Sequence, residues 1–135
     1  MSYVYLLDTN IVSDLMRYPL GRTAQQLALV GVDAAATSII VAAEIRYGAA
    51  KKGSAKLIAQ MDATLGFLDV LPLDRPFDVV FGDLRTKLES AGTTIGAFDL
   101  IIAAQALSLG LIMVTDNVRE FSRVPGLKIE NWLRP

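Results

Sequence analysis

Short strand patterns alternate with helical patterns along the whole chain, and this alternation strongly limits the possible folds. Runs rich in β-branched and aromatic residues predict strands, and apolar residues three and four positions apart predict helices. The predicted strands are residues 3–7, 35–37, 69–71, 111–115 and 127–129, and the predicted helices are residues 11–16, 23–30, 39–50, 55–68, 76–91 and 97–109. This order indicates an α/β protein with a central parallel sheet, right-handed crossovers and helices on both faces.

The chain is expected to form one domain over residues 1–135, because this length is typical of a single domain and no linker interrupts it. Hydrophobic residues make up 53% of the sequence. The longest uncharged run near the end, residues 100–114, is nevertheless shorter than the ~20 residues of a membrane helix. A signal peptide is not recognisable at the N-terminus. With no cysteine present, we expect a cytoplasmic protein without a membrane partner.

The chain contains neither histidine nor cysteine, which excludes several catalytic designs. Ser-His-Asp triads, Cys-His pairs, ordinary zinc centres and histidine-based cleavage of RNA all need one of these residues. An enzyme with this sequence must use carboxylates, hydroxyls, Lys or Arg, together with a hard metal ion bound through oxygen. The net charge of −1 does not indicate a nucleic-acid partner, so any basic patch must be local.

Four acidic residues belong to four separate elements and are candidates for one site. Asp8 and Asp116 each follow a predicted strand, Asp99 lies in the first turn of a helix, and Glu44 interrupts the apolar run IIVAAEI. Ligands of an open parallel sheet bind beyond the carboxyl ends of its strands, so these acids are expected to converge. Carboxylates about 4 Å apart repel by ~4 kcal/mol at an effective dielectric near 20, so such a cluster needs protons or a cation. Oxygen ligands favour Mg²⁺ or Mn²⁺, which can promote attack on a phosphodiester.

Each acid also has a structural interpretation. Asp8 could cap a helix, Asp99 could complement a helix dipole, and Asp116 could belong to a turn. Glu44 is the hardest to explain structurally, because apolar residues flank it. A strand-end aspartate is also typical of acceptor-Asp phosphohydrolases and receiver-like domains. Such proteins need an adjacent pair of acidic residues and a lysine after one of the last strands, and the sequence provides neither.

Four segments are distinctive when they are taken in order, namely LLDTN, VAAEIRYGA, IGAFDLIIAAQALSLGL and MVTDNVREF. Together they resemble the VapC-type toxins of the PIN-domain ribonuclease family, over essentially the whole chain. The resemblance implies a PIN-like domain and a Mg²⁺-dependent endoribonuclease, with Mn²⁺ as the alternative ion. It also implies the toxin of a type II toxin–antitoxin pair, which a cognate antitoxin inhibits. Transfer RNA is the expected substrate, and the competing interpretation is a catalytically inactive PIN-like binding module.

The resemblance also assigns roles to individual residues. It makes Asp8 and Asp99 the metal ligands and Glu44 the glutamate of the catalytic site. Thr9 and Asn10 correspond to the polar residues that support the first aspartate.

The fourth acid of the site is less clearly assigned. Many PIN domains place it two residues after the threonine of the last motif, and this chain has Asn117 there. The alternatives are Asp116, Glu120, or Asn117 acting through a water molecule.

A local basic patch is expected between Glu44 and Asp62, because this interval contains no acid. Its cations are Arg46, Lys51, Lys52 and Lys56. They are candidates for contacts with RNA phosphates, and the alternative is an ordinary solvated surface.

The high apolar content suggests that part of the surface meets another protein. We expect a homodimer and an apolar groove for an antitoxin segment. The helices predicted at residues 39–50 and 57–68 are the candidates for this groove, because each carries more apolar residues than one core-facing stripe requires.

Overall fold

The computed structural model describes residues 2–135 and contains a parallel sheet with strand order β3-β2-β1-β4-β5. The strands are β1 (Tyr5–Leu7), β2 (Ala35–Ser38), β3 (Asp69–Leu71), β4 (Ile112–Val114) and β5 (Ile129–Glu130). The helices are α1 (Thr9–Arg17), α2 (Arg22–Val30), α3 (Ile39–Lys52), α4 (Ala55–Phe67), α5 (Phe77–Ala91), α6 (Ala97–Leu109) and α7 (Val118–Phe121). The predicted α/β fold with a parallel central sheet is confirmed.

The predicted elements are present, with small changes at their ends. The main difference concerns α1, which begins at Thr9 and not at residue 11, because Asp8 is its N-cap. Two short elements were not predicted, the helix α7 and a 3-10 turn at Val32–Ala34. A single helical turn is too short to produce a periodic apolar pattern, so the sequence carries no signal for either element.

Two groups of helices cover the sheet. Helices α1 to α4 pack against one another, and α5 packs against α6. The strand order runs outward from β1 in one direction to β3 and in the other to β5. With right-handed crossovers, this order places the two groups of helices on opposite faces of the sheet.

The core lies between these layers. Leu6, Leu7, Met113 and Val114 on the central strands are fully buried, as is Ile102 on α6. Helix α6 is therefore the buried central helix that its apolar sequence predicts. Among the helices formed by residues 2–135, none combines the length and apolar character needed to cross a bilayer.

The connections leave β1 and β4 in opposite directions, which opens a crevice beyond the carboxyl ends of these two strands. Leu7 lies opposite Val114 in the sheet, and the backbone N–H of Asp8 donates to the carbonyl of Val114 at 2.9 Å. Asp8, which follows β1, and Thr115, which follows β4, consequently lie side by side at the mouth of the crevice.

Candidate active site

Asp8 is a buried carboxylate held at both oxygens. Only 4% of the residue is exposed. Its Oδ1 accepts the backbone N–H of Thr9 at 2.8 Å, and its Oδ2 accepts the hydroxyl of the fully buried Thr115 at 2.7 Å. Burial raises the pKa of Asp8, although these two hydrogen bonds oppose the shift. The interpretation of Asp8 as a helix cap is confirmed, and each oxygen keeps a lone pair for a further partner.

Asn117 joins the carboxylates of Asp99 and Glu120. Its Nδ2 donates to Glu120 Oε2 at 2.8 Å and to Asp99 Oδ2 at 3.3 Å. The other oxygen of Glu120 accepts the backbone N–H of Gly96, the residue that precedes α6, at 2.6 Å. These contacts connect the segment after β4 to the first turn of α6. They also place the carboxylates of Asp99 and Glu120 around the side-chain amide of Asn117.

Burial and the surrounding negative charges shift the pKa values of these acids. Burial, followed by the negative charges of Asp8, Glu120 and Glu44, raises the pKa of Asp99 to about 6. In contrast, the hydrogen bonds from Gly96 and Asn117 lower the pKa of Glu120. Burial and the neighbouring acids both oppose the ionisation of Asp99, as expected for a carboxylate within a negatively charged cluster.

Glu44 approaches the cluster from α3 and is half-buried. Its Oε1 accepts the hydroxyl of Thr9 at 3.0 Å. This bond links α3 to the first residue of α1 and therefore holds Glu44 beside the residue that Asp8 caps. We call Asp8, Glu44, Asp99 and Glu120 the acidic cluster.

Asp116 is not brought into the acidic cluster. Its Oδ1 accepts Asn131 Nδ2 at 2.9 Å and Arg134 Nε at 3.0 Å, and these bonds lower its pKa. Its backbone N–H donates to Asn10 Oδ1 at 3.2 Å, so Asn10 supports the loop after β4. Of the three alternatives for the fourth position, Asn117 and Glu120 reach the cluster, while the Asp116 side chain turns toward the end of the chain.

Thr115 is a site residue that the sequence interpretation did not single out. It follows β4 as Asp8 follows β1, and its hydroxyl both donates to Asp8 and accepts the backbone N–H of Asn117 at 3.0 Å. A signal was available, because a polar residue directly after a buried strand marks the ligand-binding edge of a parallel sheet.

The donor set of the acidic cluster fits a hard divalent cation. No ion pair among residues 2–135 includes any member of the cluster. Within the same residues, no three acids are arranged to hold a metal ion by themselves. Carboxylates that are free of ion pairs and not grouped in threes are compatible with Mg²⁺. This ion usually binds one or two carboxylates and completes its coordination with water and substrate phosphate. Asp8 and Asp99 would be those carboxylates, with Glu120 beside them.

The four cations of the predicted basic patch have different surroundings. Lys52 lines a groove that also contains Glu44. Arg46 forms an exposed ion pair with Asp62 at 3.8 Å, and Lys51 Nζ lies 6.0 Å from the ring centroid of Tyr47. Lys56 is exposed in the first turn of α4. A role of the patch as a whole in binding RNA stays a prediction.

A larger apolar groove of about 700 Å³ lies between α1, α2 and α4. Leu27 of α2 and Ala63, Thr64 and Phe67 of α4 contribute to its walls. Helix α4 lines this groove, whereas α3 does not, and the other walls come from α1 and α2. The predicted use of α3 and α4 to bind an antitoxin stays a prediction.

Comparisons with known proteins identify relatives along nearly the whole chain. The model of the PIN domain family matches residues 5–127. The chain is 36% identical to "Ribonuclease VapC2" of Rickettsia felis over 131 residues, which are 96% of this chain and 98% of that protein. It is 38% identical over 96 residues to "tRNA(fMet)-specific endonuclease VapC" of Salmonella typhimurium, covering 70% of this chain and 73% of that protein.

Solved structures give the same result for the fold. The chain superposes with a TM-score of 0.88 and 34% identity on a chain of VapBC2 from Rickettsia felis bound to a promoter DNA fragment, covering 96% of this chain and 98% of the other. DNA-bound VapBC from Salmonella typhimurium gives a TM-score of 0.87 and 32% identity, with the same two coverages.

Proposed function

Because the chain belongs to the PIN domain family, and within it to the VapC ribonucleases, we propose that it is a Mg²⁺-dependent endoribonuclease and the toxin of a toxin–antitoxin pair. The acidic cluster at the ends of β1 and β4 is the observation that carries the proposal. A group of carboxylates without histidine, none of which forms an ion pair among residues 2–135, is suited to a hard metal ion and a phosphodiester substrate. The match of the family model to residues 5–127 supports a single PIN domain over the chain.

In this proposal each member of the site has a defined task. Asp8 and Asp99 would hold the metal ion, and the hydrogen bonds that Asp8 accepts from Thr9 and Thr115 fix the orientation of the Asp8 carboxylate. When bound, the ion offsets the negative charge of the scissile phosphate and makes a water molecule a better nucleophile. Glu44, oriented by Thr9, would accept a proton at its carboxylate from the attacking water. Asn117 sets the positions of Asp99 and Glu120.

Replacing Glu44 with Gln tests its role as a proton acceptor. The amide oxygen can still accept the hydroxyl of Thr9, so the contact between α1 and α3 is preserved while the basic group is lost. We expect kcat to fall by about 10²-fold, the usual contribution of a positioned general base. Thermal melts run beside the kinetics provide the control. A changed melting temperature with an undiminished kcat would mean that Glu44 is only a structural acid.

Transfer RNA is the proposed substrate class, because the Salmonella relative is named a tRNA(fMet)-specific endonuclease. Incubating the purified chain with total cellular RNA and mapping the new ends tests this assignment. We expect cuts in transfer RNA that require Mg²⁺ and disappear with EDTA. Cuts spread evenly over all RNA classes would reject the substrate while preserving the ribonuclease. No cleavage of any RNA would reject the proposed function.

The apolar groove between α1, α2 and α4 is the proposed binding site of a cognate antitoxin. The solved VapBC structures are complexes of this kind of chain with its antitoxin. A groove of about 700 Å³ with walls such as Leu27 and Phe67 suits the apolar face of a short amphipathic helix. The predicted homodimer stays a prediction, which light scattering of the purified chain tests.

A charge placed in this groove should separate inhibition from catalysis. Ala63 is an exposed residue on the groove wall, so Ala63→Glu leaves the core intact but puts a carboxylate against the apolar face of the antitoxin. We expect the affinity for the antitoxin to fall by about 100-fold, as for a residue at the centre of an interface, with RNA cleavage unchanged. Val79→Glu is the matched control, because Val79 is 69% exposed on α5. Equal effects of both variants on antitoxin binding would rule out the groove.

A further inference from the structure

A second groove, smaller than the apolar one, begins at the acidic cluster and runs between α1 and α3. It encloses about 220 Å³ and is called the α1–α3 groove below. Its lining includes Thr9, Ser13 and Arg17 from α1, and Glu44, Gly48 and Lys52 from α3. The hydrogen bond between Thr9 and Glu44 fixes the end of the groove at the acidic cluster.

Arg17 and Lys52 lie at the far end of this groove. Each is eight residues beyond its partner at the acidic end, Thr9 or Glu44, which corresponds to a distance of about 12 Å along a helix. Both side chains line the same groove although they belong to different helices. The α1–α3 groove therefore leads from the negatively charged cluster to a pair of cations.

The charges of Arg17 and Lys52 are available for a ligand. Both residues are exposed, and no ion pair among residues 2–135 includes either of them. By comparison, Arg46 is paired with Asp62. Arg17 and Lys52 also end their helices, where cations complement the helix dipole. Lys51 is also in the last turn of α3 but does not line the groove. A position at the end of a helix therefore does not by itself bring a cation into the groove.

We propose that Arg17 and Lys52 form a phosphate-binding subsite for the RNA backbone, one that holds a phosphate other than the scissile one. The inference rests on the proposed ribonuclease function. Phosphate contacts supply most of the affinity of proteins for nucleic acids, and the acidic cluster itself repels the RNA backbone. A cation pair at the end of a groove that starts at the cluster provides the missing attraction and sets the direction in which the strand leaves the site.

The double variant Arg17→Gln/Lys52→Gln tests the subsite. Arg75→Gln/Lys87→Gln is the matched control, because it removes the same number of charges from two exposed cations at α5. With bacterial transfer RNA as substrate, we expect the Arg17→Gln/Lys52→Gln variant to raise KM by about tenfold, the effect of removing a charge-assisted hydrogen bond. Its kcat should stay unchanged. The slope of log(kcat/KM) against log salt concentration should flatten by about 0.7 to 0.9 for each phosphate that the protein no longer binds. Arg75→Gln/Lys87→Gln should leave KM and the slope unchanged.

Failure of the subsite can be told apart from failure of the proposed function. If the original chain cleaves no RNA, the ribonuclease itself is rejected. If it cleaves RNA but the Arg17→Gln/Lys52→Gln variant behaves as Arg75→Gln/Lys87→Gln does, or loses kcat with its original KM, the subsite is overturned. Reduced affinity for the antitoxin with an unchanged KM would assign Arg17 and Lys52 to the antitoxin surface and would also overturn the subsite.

Discussion

Replacing Asp99 with Asn is expected to abolish RNA cleavage and, at neutral pH, to make the metal-free protein more stable. The amide preserves the shape of the side chain and its ability to accept the hydrogen bond from Asn117. It removes a charge that the metal ion needs and that Asp8, Glu120 and Glu44 repel. Activity should fall by at least about 10²-fold, since even residues behind the metal ligands contribute 10- to 100-fold.

The stability change follows from the pKa of Asp99. Its pKa is about 6 in the folded protein and about 4 in an unfolded chain, so the folded form binds the proton more tightly. The free energy of unfolding of the metal-free protein therefore falls as pH rises from about 4 to about 6. After allowance for screening at a half-buried group, this loss is of the order of 1 to 2 kcal/mol. The Asp99→Asn variant does not suffer this loss, so above pH 6 the metal-free variant should be more stable than the original chain.

Thermal melts in EDTA at two pH values measure this effect. At pH 7 the Asp99→Asn variant should melt roughly 3 to 6 °C above the original chain, and at pH 4 the difference should shrink. Adding Mg²⁺ should raise the melting temperature of the original chain and not that of the variant, because a ligand stabilises the form that binds it. A variant that is less stable than the original chain at pH 7 would contradict the convergence of charges at Asp99.

Removing the charge of Glu120 should lower the activity, whereas removing the charge of Asp116 should not. Glu120 lies in the acidic cluster, tied to Asn117 and Gly96, whereas Asp116 is held by Asn131 and Arg134. Glu120→Gln is expected to lower kcat/KM for RNA by about 10- to 100-fold, as for a residue that orients metal ligands. Asp116→Asn should retain activity and lose a little stability with its ion pair, which is exposed on the Arg134 side.

The two variants are controls for each other, because both residues follow β4 closely, Asp116 in the loop and Glu120 in α7, while their side chains have different partners. Kinetics with the same RNA and melts of both proteins compare them directly. Inactive Asp116→Asn together with active Glu120→Gln would reverse the assignment of the fourth position.

The placement of Asp8, Glu44 and Asp99 was predictable because it follows from backbone elements. Each belongs to a strand end or a helix whose sequence pattern is strong, and the sheet brings those elements together whatever the side chains do. The confirmed positions of β1, α3 and α6 therefore sufficed to predict where these three acids lie.

The choice among Asp116, Asn117 and Glu120 was not predictable in the same way. It depends on contacts with residues distant in sequence, since Asn131 and Arg134 hold Asp116 and Gly96 holds Glu120. The same reason explains why the walls of the apolar groove were only partly foreseen. Apolar composition shows that a helix has surface to cover, but the packing of α1 and α2 against their neighbours decides where a groove remains open.

The central claim is that the acidic cluster is a metal-dependent ribonuclease site, and a Mg²⁺ titration of the metal-free chain tests it most directly. Melting temperature and the rate of transfer RNA cleavage are measured on the same samples, with Asp99→Asn beside the original chain. We expect both quantities to rise together over one range of Mg²⁺ concentration in the original chain, and neither to rise in the variant. Full cleavage in the presence of EDTA, or Mg²⁺-dependent cleavage that Asp99→Asn retains, would contradict the claim.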